Sequence, residues 1–156
     1  MITNNKLDKS FGPIGNYAGM TIFIIGLIGS IVTKSFSLPI IITTLIGAFC
    51  GFSNSSALID YDNKRFKLSN NLFGIIKTGK WINIKPEMKI GIKKSTKTWR
   101  TFSRSNRNID VSNKDYRIFI YDYRSRPIMP IYKTNSLDTA QNELKKISSQ
   151  LEINLM

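Results

Sequence analysis

The chain has 156 residues, a formal net charge of +13, no histidine and one cysteine. That length holds one ordinary domain and a small appendage. With no histidine and Cys50 alone, an internal disulfide, a histidine base, a Cys-His pair and the usual zinc-ligand spacings are all excluded.

Residues 1–10 read as a short N-terminal tail carrying Lys6 and Lys9. Two uncharged runs follow, Ser10 to Thr33 and Ser35 to Ile59, separated by Lys34. Each exceeds the ~20 apolar residues that cross a ~30 Å hydrocarbon core. The pattern predicts a transmembrane helical hairpin over 11–54, with helices at 11–33 and 37–54. The first run is too long for a signal peptide, and no small-x-small cleavage site is followed by a secreted domain. Phe49 directly before Cys50 does not fit a lipidation signal, so the thiol reads as a small apolar group. Pro39 suits the first turn of the second helix, where its missing N–H costs nothing.

Basic residues flank the far ends of the hairpin: Lys6 and Lys9 before it, then Lys64, Arg65 and Lys67 after it. By the positive-inside rule both termini and the domain that follows are expected in the cytoplasm, as in a multi-pass protein. Gly15-x-x-x-Gly19 and Gly47-x-x-x-Gly51 are small-residue pairs of the kind that let helices approach closely in lipid, and they are assigned to packing within the hairpin. Gly26 and Gly29 are left for contact with another subunit. Neither run carries a charged residue, which makes the hairpin an anchor rather than an ion pathway.

Residues 55–156 change character, with short β-branched and aromatic runs divided by Asn, Asp, Lys and Gly. Strands are predicted at Ala57 to Tyr61 and Arg65 to Leu68, joined by Asp62, Asn63 and Lys64, and then at Lys80 to Ile84. Met88 to Lys93 alternates apolar and wet residues and reads as a fourth strand, Thr98 to Phe102 as a fifth. Thr101 to Lys114 is polar and is read as a long loop. Tyr116 to Tyr123 and Ile128 to Tyr132 form a second hairpin, with Pro130 assigning the last strand to an edge. Ser136 is placed as the N-cap of a terminal helix over 137–153, with Asp138 in its first turn and Leu137, Ala140, Leu144, Ile147 and Leu151 on one face.

Seven short strands closed by one amphipathic helix is the order of a pleckstrin-homology-like (PH-like) fold. On the hairpin Leu58-Ile59-Asp60-Tyr61-Asp62-Asn63-Lys64, the segment Leu72-Phe73-Gly74-Ile75 leading to Gly79-Lys80-Trp81, and the helix from Ser136 to Leu155, the chain resembles small bacterial inner-membrane proteins in which two transmembrane helices precede a PH-like domain. The resemblance implies an α+β membrane protein of the cytoplasmic membrane with a PH-like β-barrel or sandwich on its inner side. It implies no activity and no cofactor.

All but three of the 23 Lys and Arg, and all but one of the ten Asp and Glu, lie in the domain. The densest basic cluster is Lys93, Lys94, Lys97, Arg100, Arg104 and Arg107, with Trp99 and Phe102 among them. Held at an anionic leaflet, each such cation contributes roughly 1 kcal/mol, within a Debye length of ~8 Å. Lys93, Lys94, Lys97, Trp99, Arg100, Arg104 and Arg107 are therefore the candidate contacts for lipid headgroups or a partner protein. Trp81 and Trp99 read as core or rim aromatics ahead of binding residues, and basic residues on wet strand faces also protect edges from aggregation. No recognition-helix or ribonucleoprotein motif is present, so nucleic acid is not expected as a partner. The expected function is a non-enzymatic membrane-anchored adaptor or accessory subunit whose partners are membrane lipids or other membrane proteins of a complex. The alternative is a small enzyme or transporter subunit, using carboxylates drawn from Asp60, Asp62, Glu87, Asp110, Asp115 and Asp122. No metal site is expected.

Overall fold

The computed structural model describes the backbone of residues 1–34, 37–102 and 108–156, and their side chains except at 97, 99–102 and 108–113. In chain order the elements are β1 (Ile2–Lys9), α1 (Gly12–Val32), α2 (Leu38–Phe52), β2 (Asn54–Asp60), β3 (Arg65–Leu72), β4 (Ile76–Lys77), β5 (Trp81–Asn83), β6 (Lys89–Phe102), β7 (Asn108–Tyr121), β8 (Pro127–Thr134), α3 (Leu137–Leu151) and β9 (Asn154–Leu155). The chain is thus α+β, with three helices and two sheets among the described residues. One sheet runs β1-β2-β3-β4 with β5 also on β3, and the other runs β8-β7-β6-β9.

Two compact units result, one of residues 1–7, 56–69 and 79–156, the other of residues 8–55 and 70–78. The first unit is built on a core of Leu7, Ala57, Ile59, Phe66, Met88, Ile90, Ile118, Ile120, Met129, Ile131, Ile147, Leu151 and Ile153. The period-2 pattern of β6 and β7 places Ile90 opposite Ile120 and Ile92 opposite Ile118, so the same face of both strands turns inward. From α3, Ala140, Ile147 and Leu151 are buried and Leu144 packs against the core, while Leu137 is exposed. Ser136 occupies the N-cap position in an extended conformation, yet its hydroxyl makes no cap hydrogen bond. Ser136→Ala is accordingly expected to cost well under the ~1 kcal/mol typical of a lost cap, as measured by urea unfolding.

Several sequence expectations are corrected. Residues 1–10 are not a bare tail: β1 pairs in the first sheet and points Thr3, Asn5 and Leu7 inward, a mostly polar face that carries no hydrophobic period. Asn5 Nδ2 donates to the Ile131 carbonyl at 3.0 Å, a contact that fixes the strand with a polar side chain. The long loop expected at Thr101 to Lys114 is overturned from Asn108 onward, where β7 pairs residue by residue with β6. The fourth and fifth strands are one strand, β6. A main-chain ladder alone can join two strands, and it requires no apolar alternation of its residues. The terminal helix stops at Leu151 rather than 153, because Glu152 takes a left-handed conformation (φ 56°) and the chain turns into β9, parallel to β6.

The second unit carries the apolar helices. α1 has 21 residues and is long and apolar enough to cross a membrane. α2 does not reach that length: it has 15 residues, about 22 Å at 1.5 Å per residue. The two-span expectation is corrected to one helix of spanning length and one shorter apolar helix. The second uncharged run is cut short at Ser53, where the chain leaves the helix for the extended conformation of β2. Along α1 and α2 the buried residues are Gly12, Asn16, Gly19, Gly26, Gly47 and Gly51, while most of the isoleucines point out, among them Ile25 at 61% and Ile31 at 73% exposure.

Candidate functional site

The β6 and β7 strands are 14 residues each and remain in register from Lys89↔Tyr121 to Phe102↔Asn108. At ~3.4 Å per residue this ladder is about 45 Å long. Among the described residues β9 pairs only with Lys89 and Ile90, and β8 only with β7 from Tyr116 onward. Beyond that point β6 and β7 form a two-stranded ribbon with both outer edges open.

The candidate basic residues are distributed over this ribbon. Lys93 and Lys94 are exposed near its base, opposite Arg117 and Tyr116 respectively. Lys97, Trp99 and Arg100 take β6 positions opposite Asn113, Val111 and Asp110, with side chains outside the described residues, and Arg104 and Arg107 lie outside the described residues altogether. The ribbon adds a cation from the segment expected as a loop: Lys114, exposed and opposite Thr96. Opposed residues share a face and diagonal neighbours lie ~7–8 Å apart, so Lys94 and Lys114 fall on one side of the ribbon.

On the other side stands an ion cluster that no linear motif revealed. The Asp115 carboxylate is fully buried and accepts from Arg117 through Nε at 2.7 Å and Nη2 at 2.9 Å, while Lys133 of β8 approaches at 3.2 Å. Arg117 is in register with both Lys93 and Lys133. Like charges opposed across a sheet destabilise it, and the Asp115 carboxylate supplies a negative charge that offsets two of them. Burial pushes the Asp115 carboxyl up, but the hydrogen bonds and positive charges of Arg117 and Lys133 outweigh it and leave the group below the usual range. Two cations thus share the Asp115 carboxylate, and Lys93 stands opposite one of them, Arg117.

Of the other candidate carboxylates, Asp60, Asp62 and Asp122 are committed locally. Asp60 is buried, accepts from Asn63 at 2.9 Å and pairs with Arg65 at 2.8 Å; the Asn63 side chain, opposed by burial and helped by Arg65, lowers its pKa. Asp122 accepts from the Arg126 and Arg124 main chain and from the Arg126 guanidinium, which closes the β7–β8 turn. Asp62 pairs with the N-terminal ammonium, Glu87 is exposed, and the Asp110 side chain lies outside the described residues. Trp81 is half-buried beneath Arg65, at 4.7 Å from its ring centroid, and Lys67, at 5.9 Å. Among the described residues no group of His, Cys, Asp and Glu is arranged to hold a metal ion.

In the helical unit the glycines differ in role. A Cβ on Gly47 would strike the Phe23 main chain, on Gly19 the Gly51 and Cys50 main chain, and on Gly51 the Met20 nitrogen at 2.9 Å. Gly15 instead faces the Phe11 Cβ at the start of its own helix. Gly26, assigned from sequence to another subunit, faces Thr44 of α2, and Gly29 has open space around it. Asn16 is a buried polar member of this interface: its amide donates to the Gly51 carbonyl and its oxygen accepts from Lys9 Nζ at 2.5 Å. A single Asn in an apolar run gives no such warning in the sequence.

No family model, no curated protein and no solved structure matches this chain.

Proposed function

We propose that the chain is a membrane-anchored, non-enzymatic accessory module: α1 and α2 form a hairpin in the lipid, and a PH-like domain on the cytoplasmic side meets anionic headgroups or a membrane complex through the basic ribbon. One observation carries the reading. The helical pair buries most of its glycines and turns most of its isoleucines outward, so the apolar surface it presents is suited to an apolar solvent. Lipid supplies one, and the thin end of α2 is accommodated by local thinning or tilt at modest cost. Basic residues at both far ends favour cytoplasmic termini and hence a multi-pass protein, and the resemblance to small bacterial inner-membrane proteins implies the bacterial inner membrane as its address.

Two sheets and α3 sharing one core support the PH-like assignment of the domain. The acid-base alternative is weakened because Asp60, Asp62, Asp115 and Asp122 already serve turns and ion pairs. Anchoring is tested by washing native membranes with alkaline carbonate: the chain should stay with the lipid and leave only with detergent, and release by carbonate would refute it.

The ribbon contact is tested on full-length protein in vesicles, with a fluorophore at Thr96→Cys in a Cys50→Ser background. Replacing phosphatidylcholine by phosphatidylglycerol should shift the emission, and 1 M salt, where the Debye length is ~3 Å, should reverse the shift. Lys93→Glu with Lys94→Glu should abolish it. An emission indifferent to lipid charge would sink the headgroup contact.

A further inference from the structure

The turn between β3 and β4 belongs to the helical unit and has an unusual composition. Turns favour Gly, Pro, Asn, Asp and Ser, whereas this one reads Leu72-Phe73-Gly74-Ile75-Ile76. Phe73 and Gly74 both take left-handed conformations (φ 55° and 72°), the Ile75 N–H donates to the Leu72 carbonyl at 3.1 Å, and Leu72 pairs with Ile76. The tip is therefore an ordered hairpin, and it leaves Ile75 81% and Ile76 56% exposed.

This tip is fastened to the end of α2. The Phe73 N–H donates to Ser53 Oγ at 3.1 Å, and Asn71 Nδ2 donates to Asn54 Oδ1 at 2.8 Å. The Phe49 ring meets Phe73 edge-on at 5.3 Å and Phe11 at 5.4 Å. A Cβ on Gly74 would lie 3.3 Å from the Phe52 carbonyl, so the turn backbone sits against the last residue of the helix. Ile75 and Ile76 thus add exposed apolar surface beside the last residue of α2, and exposed Lys77 follows directly.

We propose that the Phe73–Ile76 turn is a third membrane-contacting element, which inserts Ile75 and Ile76 into the boundary between headgroups and acyl chains while Lys77 meets lipid phosphate. The proposal rests on the anchoring reading above. It gives the short helix an apolar collar at its cytoplasmic end, and an aliphatic tip followed by a cation matches the layered chemistry of that zone.

The test uses full-length protein in the Cys50→Ser background, reconstituted in phosphatidylcholine and phosphatidylglycerol vesicles, with an environment-sensitive fluorophore at Ile75→Cys or, separately, at Ile25→Cys in α1. At Ile75→Cys the emission should shift to the blue and be quenched most by lipids bearing a nitroxide near the headgroup. At Ile25→Cys quenching should be strongest with the nitroxide deep in the acyl chain. Lipid quenching at Ile25→Cys together with a water-like spectrum at Ile75→Cys would overturn the insertion of the turn and leave the anchor standing. Absence of lipid quenching at both positions would overturn both readings.

Discussion

Gly47→Leu is expected to break the packing of α1 on α2 and to cost the hairpin about 3 kcal/mol, the upper part of the range for overpacking. The reason lies in what the new side chain would meet. Its Cβ would fall on the Phe23 nitrogen, 2.8 Å from the Phe23 Cα and 3.0 Å from the Gly19 carbonyl oxygen. All three are main-chain atoms, so no rotamer change relieves the clash and the helices must separate. Separation also removes the bond from the Asn16 amide to the Gly51 carbonyl, leaving two polar groups unpaired in an apolar setting. Gly29→Leu is the matched control, because nothing lies within 4 Å of its Cβ position. Thermal unfolding in mild detergent, followed by helical circular dichroism, should place Gly47→Leu well below the parent and Gly29→Leu beside it. Equal behaviour of the two variants would mean that α1 and α2 do not pack through Gly47.

Sequence reasoning worked where one physical signal dominates. The uncharged runs located both apolar helices, the 3.6-residue stripe of Leu137, Ala140, Leu144, Ile147 and Leu151 located α3, and Pro130 marked β8, which does lie at a sheet edge. It failed where backbone pairing proceeds without that signal. β1 points Thr3 and Asn5 inward, and the start of β7 reads as polar loop because its pairing with β6 requires no hydrophobic period. Helix length was overestimated for the same reason: absence of charge from Ser35 to Ile59 reports what the segment can dissolve in, not where its helix ends. The basic character of the ribbon was visible as composition. The assembly of Asp115, Arg117 and Lys133 was not, since it depends on a register that joins β7 to β8.

That assembly yields the second large effect. Asp115→Asn keeps the shape of the side chain but removes the charge of the carboxylate that both Arg117 and Lys133 contact. Arg117 is itself buried, so the change removes an opposite charge from a cation in a poorly solvated site, and breaking a buried pair costs about 3 kcal/mol. The pH dependence separates this charge effect from a packing effect. The folded-state pKa of Asp115 lies below the ordinary value of 3.8, so its contribution is fully present above that value and is lost as pH falls through the folded pKa. Asp60, Asp122 and Glu152 are shifted the same way and also weaken the fold in acid, but they are common to parent and variant. The stability gap between parent and Asp115→Asn should therefore be wide at neutral pH and close progressively below pH 3.8. Denaturant unfolding at a series of pH values reads that gap directly. A gap that persisted unchanged into acid would show that Asp115 holds the base of the ribbon by shape and hydrogen bonding rather than by its charge.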